Sequence, residues 1–400
     1  MVTPLCEIGN KLSKGRIVSS LEWNPKAEDT FLVGFTESDT FYNKTGLVQI
    51  WTLNKSSPEY TINSPSQITT SVFDPIQPKI IYCGTATGQI LQYDTRTKPI
   101  PVNSTPIDIS TSSLKSDKTN LFDHSSQRMP ENFVIHSYLI TNIGVVVEDN
   151  NSYILSFSGD GVICKWNSLD LTKPNIRKEL LNTKNENQKL TSKEDKQILL
   201  CSKSISPNNK DKIILASDDG NVYETIIDEN EENDLGNINK IYEGNMYPIN
   251  SIEYHPYINE FNYNFSDLFL TGSSDWTASL WSDSDNSHPL LTFDVCNDSI
   301  YSTSWHTVNP SVFVTGDGSG CINFWDLNKD LCSPIYELQL EDYPVISKIV
   351  WTQDGKKMAI GKNDGKVSIY TARNELLNVK DDDYRKFKSI IEELKFKNIN

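Results

Sequence analysis

The side chains able to carry chemistry are few and scattered. Five histidines, His124, His136, His255, His288 and His306, show no spacing to one another or to the cysteines that would build a metal site. His255 and His306 fall at strand-to-turn junctions, where an imidazole serves a structural hydrogen bond. The seven cysteines (Cys6, Cys83, Cys164, Cys201, Cys296, Cys321, Cys332) are odd in number, contain no Cys-x-x-Cys pair and lie partly within apolar runs, which implies reduced, buried thiols. The pair Asp218-Asp219 and the run Asp381 to Asp383 are of a type that supplies a general acid and base, yet turn chemistry accounts for the first and helix capping for the second. The stretch Gly361 to Val367 imitates a phosphate loop but lacks its glycine spacing and the hydroxyl residue after lysine, and reads as a hairpin turn. No nucleophile elbow, His-Glu-x-x-His helix, calcium loop or dinucleotide fingerprint occurs. The expectation is no catalytic residue, no cofactor and no metal.

Composition narrows the class of partner. Across 400 residues, 53 acidic side chains against 37 basic ones leave a net charge of −16, and only six of the basic residues are arginine. Such a surface repels phosphate backbones and anionic lipid, so neither nucleic acid nor membrane is expected as a partner. The N-terminus has no basic start followed by an apolar run, and no stretch approaches the ~18 apolar residues of a membrane span. A cytosolic or nuclear protein binder is the expectation.

What positions these residues is a repeat. A Gly, four alternating residues and an aromatic recur as GLVQIW (from Gly46), GQILQY (Gly88), GVICKW (Gly161), GCINFW (Gly320) and GKVSIY (Gly365). GNVYET, from Gly220, lacks the closing aromatic, and in DWTASLW Trp276 takes the glycine slot while Trp281 closes the run. The seven anchors are spaced by 42, 73, 59, 56, 44 and 45 residues. Three of these spacings match the ~40 to 45 residues of a four-stranded propeller blade, and the others carry insertions. Upstream of each anchor runs a second apolar strand, joined to it through turns such as Asp160-Gly161, Asp219-Gly220 and Asp364-Gly365, where glycine supplies the positive φ a tight hairpin needs. A third strand ends in a Pro or Gly turn, as in VSSLEWNP and INSIEYHP, and a less regular fourth follows the closing aromatic. Strands apolar on both faces require sheets stacked on both sides, so the fold class is all-β, a seven-bladed β-propeller. Trp51, Tyr93, Trp166, Trp281, Trp325 and Tyr370 are expected to fill the wedges between blades.

The propeller is assigned to residues 18–374, with polar insertions at 103–131, 182–197 and 228–240. Either residues 1–17 or Leu376 to Val379 supply the outer strand that closes the ring. Residues 375–400 contain a short amphipathic helix on which Tyr384, Phe387, Ile391 and Leu394 form one apolar stripe, suited to sealing the propeller rim or lying in a partner's groove.

The blade pattern resembles WD-repeat propellers, although Trp-Asp closes a blade only at Trp325-Asp326 and the opening Gly-His is missing, which puts the usual histidine-centred network in doubt. The non-repeating details narrow the resemblance. GTATGQILQYDTR (Gly84 to Arg96), SGDGVICKW (Ser158 to Trp166), DLFLTGSSDWTASLW (Asp267 to Trp281), SWHTVNPSVFVTGDGSGCINFWDLN (Ser304 to Asn328) and the Asp-Asp-Tyr-Arg-Lys-Phe tail are similar, in this order, to the C-terminal propeller of cytoplasmic dynein intermediate chains. The resemblance spans about residues 16 to 395, and Ser-Ser-Asp-Trp-Thr is its most specific element. It implies a non-catalytic motor subunit, cytoplasmic and on the microtubule cytoskeleton, whose propeller docks on the heavy-chain tail. In that family light chains and dynactin bind an N-terminal arm; this sequence begins essentially at the first blade, so those contacts are transferred to no residue here. The alternatives are a propeller scaffold of another complex, of coat or chromatin type, and a rare propeller enzyme acting at the channel mouth.

Overall fold

Alternating apolar strands with tight turns fold into antiparallel hairpins, and each hairpin here extends into a sheet whose two faces are both covered by neighbours. The computed structural model describes residues 1–38, 45–105, 136–180, 198–227, 235–236, 238–256, 263–284 and 287–399. Among them are seven sheets arranged as a β-propeller. Named by their innermost and outermost strands, the blades run Arg16–Asn24 to Tyr60–Ser64, Ile68–Phe73 to Asn103–Ser104, Ile140–Glu148 to Ile176–Leu180, Leu200–Ile205 to Ile238–Tyr242, Ile249–Tyr254 to Leu291–Phe293, and Ile300–Trp305 to Tyr336–Gln339. The seventh starts at Ile346–Trp351 and ends on the N-terminal strand Val2–Ile8.

That N-terminal strand closes the ring. It pairs antiparallel with Val367–Ala372, buries Val2 and Ile8, and places Glu7 Oε1 2.5 Å from Lys362 Nζ and Glu7 Oε2 3.1 Å from Lys366 Nζ. Leu376 to Val379 do not compete for this place: Leu376 sits in the helical turn α1 (Asn374–Leu377) with its side chain buried against blades 6 and 7. Two insertion boundaries also shift. Asn103–Ser104 is the outer strand of blade 2, Leu235–Gly236 adds parallel to the edge of blade 3, and Ile238–Tyr242 forms the edge of blade 4. Residues 106–135 and 182–197 lie outside the described residues.

Around the axis, each inner strand contacts the next in a complete cycle. An inner edge would otherwise carry unpaired backbone groups, and side chains of the adjacent blade meet them. Ser19 Oγ donates to Ile68 O at 2.9 Å, Asn250 Nδ2 to Ile300 O at 2.9 Å, and the Ile349 N–H to Ser302 Oγ at 2.9 Å. Trp23 Nε1 donates to Val350 O at 3.2 Å, which joins blade 1 to blade 7. In every blade the inner strand also slips register by one residue near its start, for example between Ile68 and Thr70 and between Ile300 and Ser302. Such a bulge re-aims the residue it leaves unpaired.

The helix α2 (Asp381–Ile399) lies along blades 5 and 6. Asp381, Asp382 and Asp383 occupy its first turn rather than the cap position; the Asp383 carboxylate accepts from the Lys380 N–H at 2.9 Å, and the three negative charges suit the positive end of the helix dipole. Tyr384, Phe387, Ile391 and Leu394 are buried in one cluster with Phe265, Trp305 and Phe313. Tyr384 donates its hydroxyl to Val308 O at 3.2 Å, and Lys395 pairs with Asp267 at 2.6 Å.

Deleting residues 1–8 removes the buried Val2 and Ile8 and leaves the Val367–Ala372 edge unpaired. At ~1.5–3 kcal/mol per buried aliphatic side chain the loss is at least about 3 kcal/mol, to be read as a lower urea midpoint. An unchanged midpoint would show that the ring does not depend on this strand.

Candidate functional site

The inner strands surround an axial cavity of about 300 Å³. Serine and threonine make up much of its wall, and their hydroxyls are engaged by neighbouring strands: Ser251 Oγ accepts from the Thr303 N–H at 2.9 Å and Ser20 Oγ meets Ser71 Oγ at 2.6 Å. Four charged side chains also line it, Glu22, Lys203, Glu253 and Lys348. Glu22 Oε2 accepts the Phe73 N–H at 2.7 Å and Glu253 Oε2 the Trp305 N–H at 3.0 Å, so each carboxylate stitches its blade to the next. Burial pushes both carboxyls up to about 7, and Lys203 near Glu22 and Lys348 near Glu253 partly offset the rise. Burial likewise pushes the Lys203 ammonium down to about 8 and lowers that of Lys348. All four keep partial exposure along the axis, and among the described residues none forms a direct ion pair with another. The Ser304 hydroxyl hydrogen-bonds Glu253, and among the described residues no further base and orienting group line up with that pair.

A serine–histidine contact does occur in blade 3. His136 Nε2 lies 2.6 Å from Ser156 Oγ, which also accepts from Trp166 Nε1 at 2.9 Å. Ser156 has no exposed surface, burial lowers the imidazole to about 4, and the nearby Asp160 binds the Ser137 backbone N–H at 3.1 Å and hydroxyl at 2.7 Å. This unit anchors the tryptophan and cannot meet a substrate. The other imidazole nitrogen of His136, Nδ1, has no hydrogen-bond partner among the described residues. His255 and His306 tie strand ends to carbonyls, His255 Nε2 to Pro310 O at 3.0 Å and His306 Nε2 to Gly355 O at 3.1 Å. Among the described residues no three His, Cys, Asp or Glu side chains group so as to hold a metal ion, and no helix is long and apolar enough to cross a membrane.

The repeat anchors share one local geometry. Gly88, Gly161, Gly220, Gly320 and Gly365 all have φ near +80°, and Trp276 matches them at +71°. The acidic residue before each of four of these positions braces its turn: Asp160, Asp219, Asp275 and Asp364 accept from the N–H two residues on, at 3.2, 3.0, 3.0 and 3.0 Å. Gly46 differs, because it opens the strand Gly46–Thr52 outside the positive-φ set; there a Cβ would lie 2.4 Å from Ser66 O, so close approach excludes a side chain. The closing aromatics pack against the preceding blade. Trp51 meets blade 7, Tyr93 blade 1, Trp166 blade 2, Trp281 blade 4 and Trp325 blade 5, all buried, while Tyr370 is half-buried against blade 6.

The two faces of the disc differ. On one, α2 covers blades 5 and 6. On the other, where anchor turns and the loops between blades emerge, large apolar side chains stand in solvent: Met246 at 87% exposure, Tyr343 at 71% and Trp276 at 52%, with Tyr247 and Tyr301 beside them. Sequence reasoning did not single out this set, nor the four axial charges. The axial charges sit inside ordinary strand patterns, and only Trp276, standing where other repeats have glycine, carried a visible signal.

The axial carboxyls have a measurable signature. Folded Glu22 keeps its proton to about 7, whereas an unfolded carboxyl releases it near 4.5, so between these values the folded state binds more protons and stability falls as pH rises. Glu22→Gln retains an acceptor for Phe73 and removes the charge. It should raise stability by roughly 1 kcal/mol at pH 8, a gain that fades toward pH 4.5. Urea midpoints at the two pH values test this, and equal gains at both would exclude ionisation as the cause.

No protein-family model matches the chain. It is similar to a curated protein, the cytoplasmic dynein 1 intermediate chain of Drosophila melanogaster, with 27% identity over 386 residues. The match covers 96% of this chain and 52% of the relative, so the chain spans about half the length of the curated relative it matches. The resemblance carried by the blade motifs therefore extends over nearly the whole propeller: the chain is similar to a cytoplasmic dynein intermediate chain.

Proposed function

We propose that this chain is a non-catalytic subunit of a cytoplasmic dynein motor, of the intermediate-chain type, whose propeller docks on the heavy-chain tail to support complex assembly and microtubule-based transport. The observation that carries this reading is the extent of the similarity, 96% of the chain aligned with an intermediate chain. Physical form supports it. A closed ring of packed sheets presents a surface already ordered, so little conformational entropy is lost when a partner covers the ~1,200–2,000 Å² of a stable interface. The axial groups fit a scaffold as well, because Glu22 and Glu253 spend their carboxylates on backbone N–H groups of the next blade. On this reading the protein works in the cytoplasm along microtubules. Light-chain and dynactin contacts are assigned to no residue of this chain.

Affinity isolation of the full chain from cell extract, followed by crosslinking mass spectrometry, tests the reading. The heavy-chain tail should co-isolate in near-stoichiometric amount and crosslink to propeller lysines. Recovery of this chain without heavy chain, under conditions where a longer intermediate chain captures it, would refute the assignment.

A further inference from the structure

Among the described residues, ten of the large exposed apolar side chains lie on one face, where the anchor turns and inter-blade loops emerge: Leu12, Ile17, Tyr138, Leu199 and Val295 join the five named above. From the loop after blade 4 to the loop before blade 7, Met246, Tyr247, Trp276, Val295, Tyr301 and Tyr343 follow one another as an arc. The Met246 N–H donates to Asp275 at 3.2 Å, so Met246 and Tyr247 adjoin the Trp276 turn. A Cβ on Gly318 would fall 3.1 Å from the Tyr301 ring and 2.6 Å from Asp298 Oδ2, and one on Gly320 would touch Tyr343, which carries the arc to the loop before blade 7.

Two features separate this arc from ordinary surface. Its central aromatic is held out at a local cost. Trp276 is a bulky residue at φ +71° in a turn that elsewhere takes glycine, and half of its surface stays in solvent. The second feature is charge. From blade 4 to the loop before blade 7 the connecting segments 218–221, 243–248, 274–277, 294–299, 318–320 and 340–345 contain no lysine or arginine, while Asp218, Asp219, Asp275, Asp298 and Asp342 lie among the aromatics; the acidic stretch ends at the blade 7 anchor turn, where Lys366 acts on Asp342. A patch of Trp, Tyr and Met ringed by carboxylates has the composition of a binding hot spot with an acidic rim.

We infer that this face grips an amphipathic helix of a partner chain, apolar on one side and rich in lysine and arginine along its edges, with Trp276 as the central anchor. An acidic partner helix would meet only like charge, and an apolar helix without basic edges would leave the carboxylates desolvated and unpaired. The inference deepens the scaffold reading and rests on it for the partner's identity: the heavy-chain segment that meets the propeller is basic and helical.

The probes are two synthetic helices, one of leucine and lysine and one of leucine and glutamate with the same apolar stripe, mixed with the full chain. The other seven tryptophans are buried, so iodide quenching of intrinsic fluorescence reports Trp276. The Leu/Lys helix should bind, protect Trp276 from iodide and lose affinity as salt rises, while the Leu/Glu helix should not bind. Trp276→Gly and Tyr301→Ser should each weaken binding at least tenfold. Trp276→Gly should melt no lower than the parent, because glycine suits the turn, and Leu169→Ser, outside the arc, should bind as the parent does. Equal binding of both helices, or parent-like binding by both arc variants, overturns the inference. The same variants in heavy-chain isolation separate the two readings. If the parent captures heavy chain and the arc variants capture it equally, the surface is wrong and the scaffold assignment stands. If the parent captures none, the scaffold assignment fails and the helix probes still decide the surface.

Discussion

Everything in this molecule depends on satisfying the inner edge of each sheet. A four-stranded blade ends at the axis in a strand with a free row of N–H and C=O groups, and an unmet buried backbone group costs as much as a lost hydrogen bond. The solution is mutual: Ser19, Thr69, Asn250 and Ser302 reach across to the backbone of the following blade, and Glu22 and Glu253 do so with carboxylates. No blade can meet this requirement alone, so the ring is stable only when complete. The N-terminal strand then acts on the whole circle, because pairing Val2–Ile8 with Val367–Ala372 joins the two ends of the chain within one sheet.

Ring closure also explains why some of the molecule was legible in the sequence and some was not. The blades could be read because each is a local unit: the apolar alternation, the Asp-Gly turns and the closing aromatic repeat within ~45 residues, and the packing of Trp166, Trp281 and Trp325 follows from their common phase. The axial set could not. Glu22 and Lys203 are separated by most of three blades, and each looks like an ordinary polar position of a strand until closure brings both to the cavity. The partners of His136 were hidden for a related reason. It follows a long polar stretch, so its relation to Ser156 and Trp166 lies in the fold and in no recognisable spacing. The outer strand of blade 2 and the first residues of that of blade 4 read as insertion because an edge strand buries little and its composition resembles a loop.

Because the scaffold is closed, its two faces are fixed and unequal. The stripe of Tyr384, Phe387, Ile391 and Leu394 has its partner within the chain, against blades 5 and 6, and is fully occupied there. Among the described residues the opposite face has no such cover. Apolar surface of the same chemical kind is thus buried on one side and displayed on the other. The hydrophobic effect treats both alike, so the difference must be sought in what the displayed side is for.

Trp276 sharpens that argument. Where local preference and overall fold agree, a residue needs no explanation beyond the fold, and the five glycines at φ near +80° are of this kind. At the equivalent place in blade 5 the backbone is unchanged, but the residue is one for which the left-handed region costs about 1–2 kcal/mol. Half of its surface still faces solvent, and the turn is already braced by Asp275 through the Thr277 N–H. A residue unfavourable in its own turn, half in solvent and beside the exposed Met246, is placed to contribute outside the folded chain. A local violation of this kind, at a turn otherwise built by the common rule, is what a binding surface laid on a rigid repeat should look like.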